Sequence, residues 1–263
     1  GPPKKHCSSC CGRPAGFDRT AWREMGGIRL YTEAMKYLNE ERLQNLCMIE
    51  AIRLGHAEVL HTARQAVLLR ETRSGAHMLY ARNYADGRPL IEALAGQQVE
   101  ALTVNRADLC RAAEEMLGLK MEFEFLHAAY LDDRAPKPTG RLEIREAEER
   151  MAPAITDLYP YLDEDGVLEH IRDGRLFAGY CKGEWIGFIG EHPEGSIGIL
   201  EILPAHRRRG FGYDMENFMI ARVYNRGQVP FVQVKVDNEV SISLQRKLGM
   251  TLADKSCFWL SKA

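Results

Sequence analysis

Strand-like and helix-like periodicities alternate along this chain, and the alternation predicts an α/β protein whose mixed sheet is flanked by helices. Three observations carry the prediction. Apolar residues alternate with period two in short runs such as "KMEFEF", "EWIGFIGE" and "PFVQVKV", as half-buried strands require. Between them lie segments such as 106–118 and 213–227, helical in pattern and ending at glycine, as amphipathic helices do. The unit strand–Asn–helix–Leu–Gly–strand occurs twice, with offsets of 133 (Asn105 to Asn238) and 131 (Gly118 to Gly249) positions. That spacing is half the chain and predicts a tandem architecture of two related halves.

The elements follow in order. Residues 1–27 are rich in Gly, Pro, Ser and Cys and are expected to be loosely ordered. From Tyr31 to Leu54 there is neither proline nor glycine, and good helix formers dominate, so one or two helices are expected. "QAVLLRE", "TRSG" and "AHMLYAR" read as strand, turn and strand, "VEALTVN" as a strand, 106–118 as a helix and "LKMEFEFLHAAYL" as a strand. "DDRAPKPTG" (132–140) holds two prolines and a glycine among charges and reads as a linker. It divides a first half at 28–131 from a second at 141–263. The second half restarts with the strand "RLEIREA", a helix over 146–158 delayed by Pro153, and a short helix in "VLEHIRDG". Three strand-like runs follow ("RLFAGYC", "EWIGFIGE", "SIGILEIL"), then a helix at 213–227, the strand "PFVQVKV", the helix "EVSISLQRKLG" and a last strand, "DKSCFWLSK".

Composition narrows the function. The 263 residues are 45% hydrophobic and 27% charged with a net charge of −2, ordinary for a globular protein and without the basic excess of a dedicated nucleic-acid binder. No apolar run approaches the roughly 20 residues that span a bilayer, so no membrane partner is expected, and the cytoplasm is the expected location. The "HCSSCC" cluster from His6 to Cys11 resembles half of a zinc site, but no second Cys or His pair follows at suitable spacing, and no metal is expected.

The chemistry concentrates in "RRRGFGYDM", residues 207–215. The stretch sits between a strand ending near Pro204 and a helix starting near Tyr213. A helix N-terminus presents unpaired N–H groups and the positive end of its dipole, and glycines let a ligand approach the backbone. The combination suits a phosphate. A Walker loop is excluded because GK[ST] is missing, and the dinucleotide fingerprint fails because Met215 stands at its third glycine.

The element order, with "ILPAHRRRGFG" and the downstream set Asn238, Ser241, Leu244, Lys247, Leu248, Gly249 and Met250, resembles the GNAT acyltransferase superfamily over 142–263. Within it the chain looks most like the glycine N-acyltransferase-like branch, which carries a degenerate GNAT-like first half. The resemblance implies acetyl-CoA or another acyl-CoA as cosubstrate and a small-molecule amine as acceptor, with a monomeric or homodimeric chain. It implies that the backbone N–H groups of Arg208, Arg209, Gly210, Phe211, Gly212 and Tyr213 hold the pyrophosphate. Arg207 and Arg208 would add charge toward the adenosine 3′-phosphate. Ile202 and Leu203 would pair with the pantetheine arm and polarise the thioester. Asn238 would hydrogen-bond that arm or cap its own helix, and Ser241 belongs to the same signature.

Amine acyl transfer needs a proton acceptor, oxyanion stabilisation and protonation of the departing thiolate. Where many GNAT enzymes carry a tyrosine, this chain has Gln245, which cannot act as an acid. Tyr213, Tyr224 and Cys257 are the substitutes in view. Glu201 is the base candidate, because a carboxylate inside the apolar run "SIGILEILP" needs a reason to be there. An ion pair with an arginine is the other such reason. His192 and His206 fall in turns and are expected to be exposed. The expected function is an acyl-CoA-dependent N-acyltransferase; the alternatives are a non-catalytic acyl-CoA binder or sensor, and a nucleic-acid module built on the arginine loop. The first half lacks a glycine loop and is expected to wall the acceptor cleft without binding a second cofactor.

Overall fold

A computed structural model describes residues 27–262. The expectations about the N-terminal segment and its Cys cluster fall on residues outside the described ones. The first half comprises α1 (Gly27–Leu38), α2 (Leu46–Arg53), β1 (Ala57–Ala63), β2 (Ala66–Glu71), β3 (His77–Ala81), α3 (Tyr84–Leu94), β4 (Ala101–Val104), α4 (Ala107–Leu117) and β5 (Lys120–Ala129). The second comprises β6 (Glu143–Glu146), α5 (Ala152–Leu158), α6 (Glu164–Arg172), β7 (Leu176–Cys181), β8 (Glu184–Glu191) and β9 (Ile197–Ile202), followed by α7 (Phe211–Asn225), β10 (Phe231–Lys235), α8 (Glu239–Lys247), β11 (Thr251–Leu252) and β12 (Cys257–Ser261).

Most boundaries follow the local signals. α6 begins at Asp163, whose side chain accepts from Gly166 N–H, and α4 ends at Gly118. Three elements escape the sequence pattern: β1, β11 and α3. α3 contains Gly87 and Pro89, both of which argue against a helix. Its cap is nevertheless sound, since Asn83 Oδ1 accepts from Asp86 N–H at 3.0 Å. Gly87 is there for packing: a Cβ would lie 2.6 Å from Leu109 of α4.

The strands form one mixed sheet in the order β1-β2-β3-β4-β12-β5-β10-β9-β8-β7-β6, with β11 on β5. The two halves exchange their last long strands. β12, from the second half, pairs antiparallel with β4 of the first, placing Leu260 opposite Leu102. β5, from the first half, pairs antiparallel with β10 of the second, from Phe231 opposite Ala129 to Lys235 opposite Phe125. The two exchanged strands pair with each other.

Each face is covered by helices from both halves. α3 and α4 bury Leu90, Ile91 and Leu109 together with Leu260 of β12, while α7 buries Met215, Met219 and Val223 against β8 and β10. On the other face, α1 and α2 pack Leu38, Leu46 and Ile49 over β1–β3 and reach Phe231 of β10. α5 and α6 cover Phe188 and Ile199 beside them.

His127 lies at the centre of this sheet, fully buried on β5 with Phe125 and Phe231 rings 5.3 and 5.8 Å away. Among the described residues neither ring nitrogen makes a hydrogen bond of good geometry, and burial, opposed only by the backbone at Gln44, pulls its pKa down to about 3. The folded chain therefore refuses a proton that the unfolded chain accepts below roughly pH 6.5. Stability should fall as pH drops from about 6.5 toward 3, by roughly 1.4 kcal/mol per pH unit from this residue. Urea unfolding at a series of pH values should show that His127→Leu flattens the acid limb. An unchanged limb in that variant would remove His127 as its cause.

Candidate active site

The site forms where β9 and β10 part. The two run parallel, yet only Ile197 and Val232 are paired. Beyond that pair β9 continues to Ile202 and β10 to Lys235, leaving a wedge open at their C-terminal ends. A bulge in β9 accompanies the parting: pairing with β8 slips between Phe188 and Gly190, and Ile199 takes a left-handed φ of 51°. A β-branched residue in that region is a strained one. The facing strand fits the bulge through Gly187, where a Cβ would come within 2.2 Å of Glu201 O.

Behind the wedge, β9 leads through a short turn at Pro204–His206 into the glycine loop. Arg207 is extended, while Arg208 and Gly210 both have left-handed φ, 63° and 83°. Alternation of this kind turns successive N–H groups toward one side. Gly210 is the N-cap of α7, a helix of 15 residues. From Arg208 to Tyr213, no described backbone carbonyl accepts from these N–H groups. A surface cavity of about 410 Å³ opens here, lined by Arg141, Gly210, Tyr213 and Lys247. Gly212 faces open space: a Cβ there would meet nothing nearer than Leu244 at 3.9 Å and Leu200 at 4.0 Å.

The charges around the loop are organised. Arg141 donates to Arg209 O at 2.7 Å and lies 3.3 Å from Asp214, a carboxylate buried in the first turn of α7. The Phe211 ring sits between the guanidinium groups of Arg141 and Arg209, at 5.3 and 5.0 Å. Arg207 turns away from the loop. Its Nη2 meets Glu201 Oε1 at 2.6 Å and its Nε donates to Ile202 O at 2.9 Å. Leu203 N–H is taken by Ile186 O, and Leu203 O accepts from His206 N–H at 2.8 Å in the turn that follows. Both its backbone groups are thus engaged within the protein, and the expected pairing of Leu203 with the pantetheine arm is not available in this arrangement. Asn238 Oδ1 caps α8 by accepting from Ser241 N–H at 3.0 Å.

Glu201 stands opposite Phe188 on β8, and directly paired residues share a sheet face. That face is the one covered by α5 and α6. Tyr159 packs on Phe188 there; burial first, then the charges of Tyr161, Glu194 and Glu201, raise its hydroxyl to about 12. Across the wedge, the Lys235 ammonium rests over the rings of Phe123 and Tyr161, at 4.8 and 5.5 Å. Glu201 is thus partly exposed and paired with Arg207, the ion pair with an arginine that is the other reason for a carboxylate in this run.

Other readings change as well. His206 is buried, not exposed: it packs 6.4 Å from the Phe211 ring and lies 3.3 Å from Arg209 Nη1. Burial pushes the Cys257 thiol up to about 12, and the Tyr224 hydroxyl is spent on Asp133 O at 2.6 Å. Neither is placed to donate a proton in the wedge. Arg141 and Lys247 join the site without having been singled out for it. Lys247 lies inside the second signature, whereas Arg141 carries no local signal beyond being the first charge after the linker. Among the described residues, no group of three or more His, Cys, Asp or Glu side chains could hold a metal. No described helix is long and apolar enough to cross a membrane.

Comparison with known proteins agrees with this geometry. Residues 176–260, from β7 to β12, match the family model described as FR47-like protein. Among solved structures, a Drosophila protein superposes with a TM-score of 0.63 at 14% identity, covering 89% of this chain and 95% of that one. A GCN5-related N-acetyltransferase from Kribbella flavida gives 0.54 at 13% identity, covering 82% of this chain and 94% of that one. A GNAT-family protein from Novosphingobium aromaticivorans gives 0.50 at 17% identity, with 78% and 91% covered. No curated protein sequence matches the chain. The fold is that of the GNAT acetyltransferases.

Proposed function

We propose that the chain is an acyl-CoA-dependent N-acyltransferase that moves an acetyl group from acetyl-CoA to a primary amine. The observation that carries this reading is the row of unpaired N–H groups from Arg208 to Tyr213 at the start of α7, set beside the parted strands β9 and β10. A diphosphate fits such a row through hydrogen bonds and the helix dipole. Arg141, Lys247 and Arg208 supply cationic charge around it, the first two from the cavity wall. From there the wedge leads to Glu201, beside Ile202 at the end of β9. The amine would approach from the face of Tyr159 and Tyr161, where Glu201 accepts its proton. Arg207 holds Glu201 in place.

A non-catalytic acyl-CoA binder is the second reading. It is favoured by one observation: Gln245 stands where many GNAT enzymes carry a tyrosine, and its amide, which cannot act as an acid, is engaged with buried Glu216. Turnover separates the two.

CoA and acetyl-CoA should raise the melting temperature, because a ligand that binds the folded state alone stabilises it by mass action. Gly212→Val should fold normally, given the space at that position, and should lose the shift, since its side chain fills the groove. A full shift in this variant would sink the loop assignment.

Glu201→Gln keeps its shape and loses the proton acceptor. CoA binding should persist while turnover falls by about 10²–10⁴, the usual worth of a positioned base. The deficit should narrow at high pH, where more of the amine is already neutral. Wild-type turnover across the pH range would instead assign the base elsewhere.

A further inference from the structure

Glu216 and Gln245 form a buried pair to which the reading above gives no task. Glu216 lies on α7 one helical turn after Gly212, on the same face. The space beside Gly212 is bounded by Leu200 of β9 and Leu244 of α8. Glu216 therefore sits deeper in the groove where β9, α7 and α8 meet, below the glycine loop and beside the wedge.

Its surroundings are unusual for a carboxylate. Glu216 is 5% exposed and Gln245 1%. Gln245 Nε2 donates to both Glu216 oxygens, at 3.0 and 3.1 Å, and is 3.5 Å from Ser241 Oγ. Among the described residues no cation faces the pair. On α7, Asp214 is met by Arg141, the Arg222 guanidinium lies over the Phe177 ring, and Tyr213 lines the outer cavity. On α8, Arg246 and Lys247 are exposed. On β9, Glu201 is paired with Arg207; on β10, Lys235 lies over Phe123 and Tyr161 on the other face of the sheet. A buried charge with a single neutral donor is poorly compensated. Burial accordingly pushes the Glu216 carboxyl up to about 7, against the opposing hydrogen bond from Gln245.

A second observation points the same way. Gln245 Oε1 is buried without a partner, a costly state for an amide oxygen. A protonated Glu216 removes that cost: its hydroxyl donates to Oε1 while its carbonyl accepts from Nε2, a cyclic acid–amide pair that uses every group. The ionised form leaves Oε1 orphaned and Nε2 shared between two oxygens, as in the described arrangement.

We propose that Glu216, held by Gln245, is the acid that protonates the departing thiolate. The proposal rests on the acyltransferase reading. As the amine nitrogen bonds to the acyl carbon, the C–S bond breaks and sulfur takes both bonding electrons. Sulfur then takes the Glu216 proton, leaving a carboxylate that Gln245 Nε2 holds through both oxygens. The proton lost by the amine passes to Glu201 and from there to solvent, and Glu216 regains its own from solvent. A thiol of pKa roughly 8.5 and an acid near neutrality are well matched for this transfer.

The test uses the full chain with acetyl-CoA and hydroxylamine, a small surrogate acceptor. In nuclear magnetic resonance titrations, the Gln245 side-chain amide should respond with a midpoint near 7, and Glu216→Gln should abolish the response. At neutral pH, Glu216→Gln should lower acetyl transfer by about 10²-fold, leave CoA affinity within about twofold by calorimetry, and erase the fall in rate above the midpoint. Gln245→Met removes the donor that stabilises the carboxylate, so the Glu216 carboxyl midpoint and the alkaline limb should move up together. Wild-type rate and pH profile in Glu216→Gln, with CoA still bound, would overturn the proposal, as would a limb that stays put when the midpoint moves. A wild-type chain that fails to bind CoA would instead remove the acyltransferase reading itself.

Discussion

The structure turns on how β10 is held. One edge pairs with β5 along its full length, from Phe231 to Lys235. The other edge meets β9 at a single residue pair, Ile197 with Val232. Because β5 satisfies one edge, β10 can leave β9 and open a wedge inside a continuous sheet without coming loose. The partner that makes this possible belongs to the first half of the chain. The exchange of β5 and β12 is therefore both what joins the halves and what keeps the site open. The same region concentrates the costly features: the left-handed Ile199, the close approach at Gly187 and the fully buried His127. Such costs persist only where the surrounding packing over-determines them.

Electrostatics follow from that geometry. Opposite ends of the wedge have different polarity. At the loop, the start of α7 and the cations Arg141, Arg208 and Lys247 favour negative charge, with Asp214 buried among them as a counterweight. Toward the α5–α6 face stand Glu201, Tyr159 and Lys235. Between the two ends, groups from three elements converge without a net cation, and Glu216 takes its character from that low-polarity stretch. Position on α7 thus decides whether a carboxylate is balanced, as Asp214 is, or left to burial, as Glu216 is.

Much of this was legible in the residues. The loop and α7 were readable because glycine spacing, arginines and an amphipathic run coincide, and α8 because Asn238 is a favoured cap. The wedge was not legible, since strand divergence leaves no local mark. α3 was hidden by Gly87 and Pro89, residues whose signal is anti-helical although Gly87 is dictated by contact with Leu109. The strand exchange was invisible because the alternation in β5 and β12 specifies a buried face, not which neighbour they pair with. Glu216 was missed for a related reason. It sits beside the apolar stripe Met215, Met219 and Val223, and only α8, folding across from far along the chain, makes that adjacent face interior. His206 was misplaced because turn composition says nothing about the aromatic ring it leans on.

The central claim is that one glycine loop, in the second half, binds the diphosphate of an acyl-CoA. Calorimetric titration of the whole chain with CoA, repeated across a salt series, tests it most directly. The account predicts one site per chain, with affinity that weakens as salt screens the cations around the loop. Two sites per chain, or no heat of binding at any salt concentration, would contradict it.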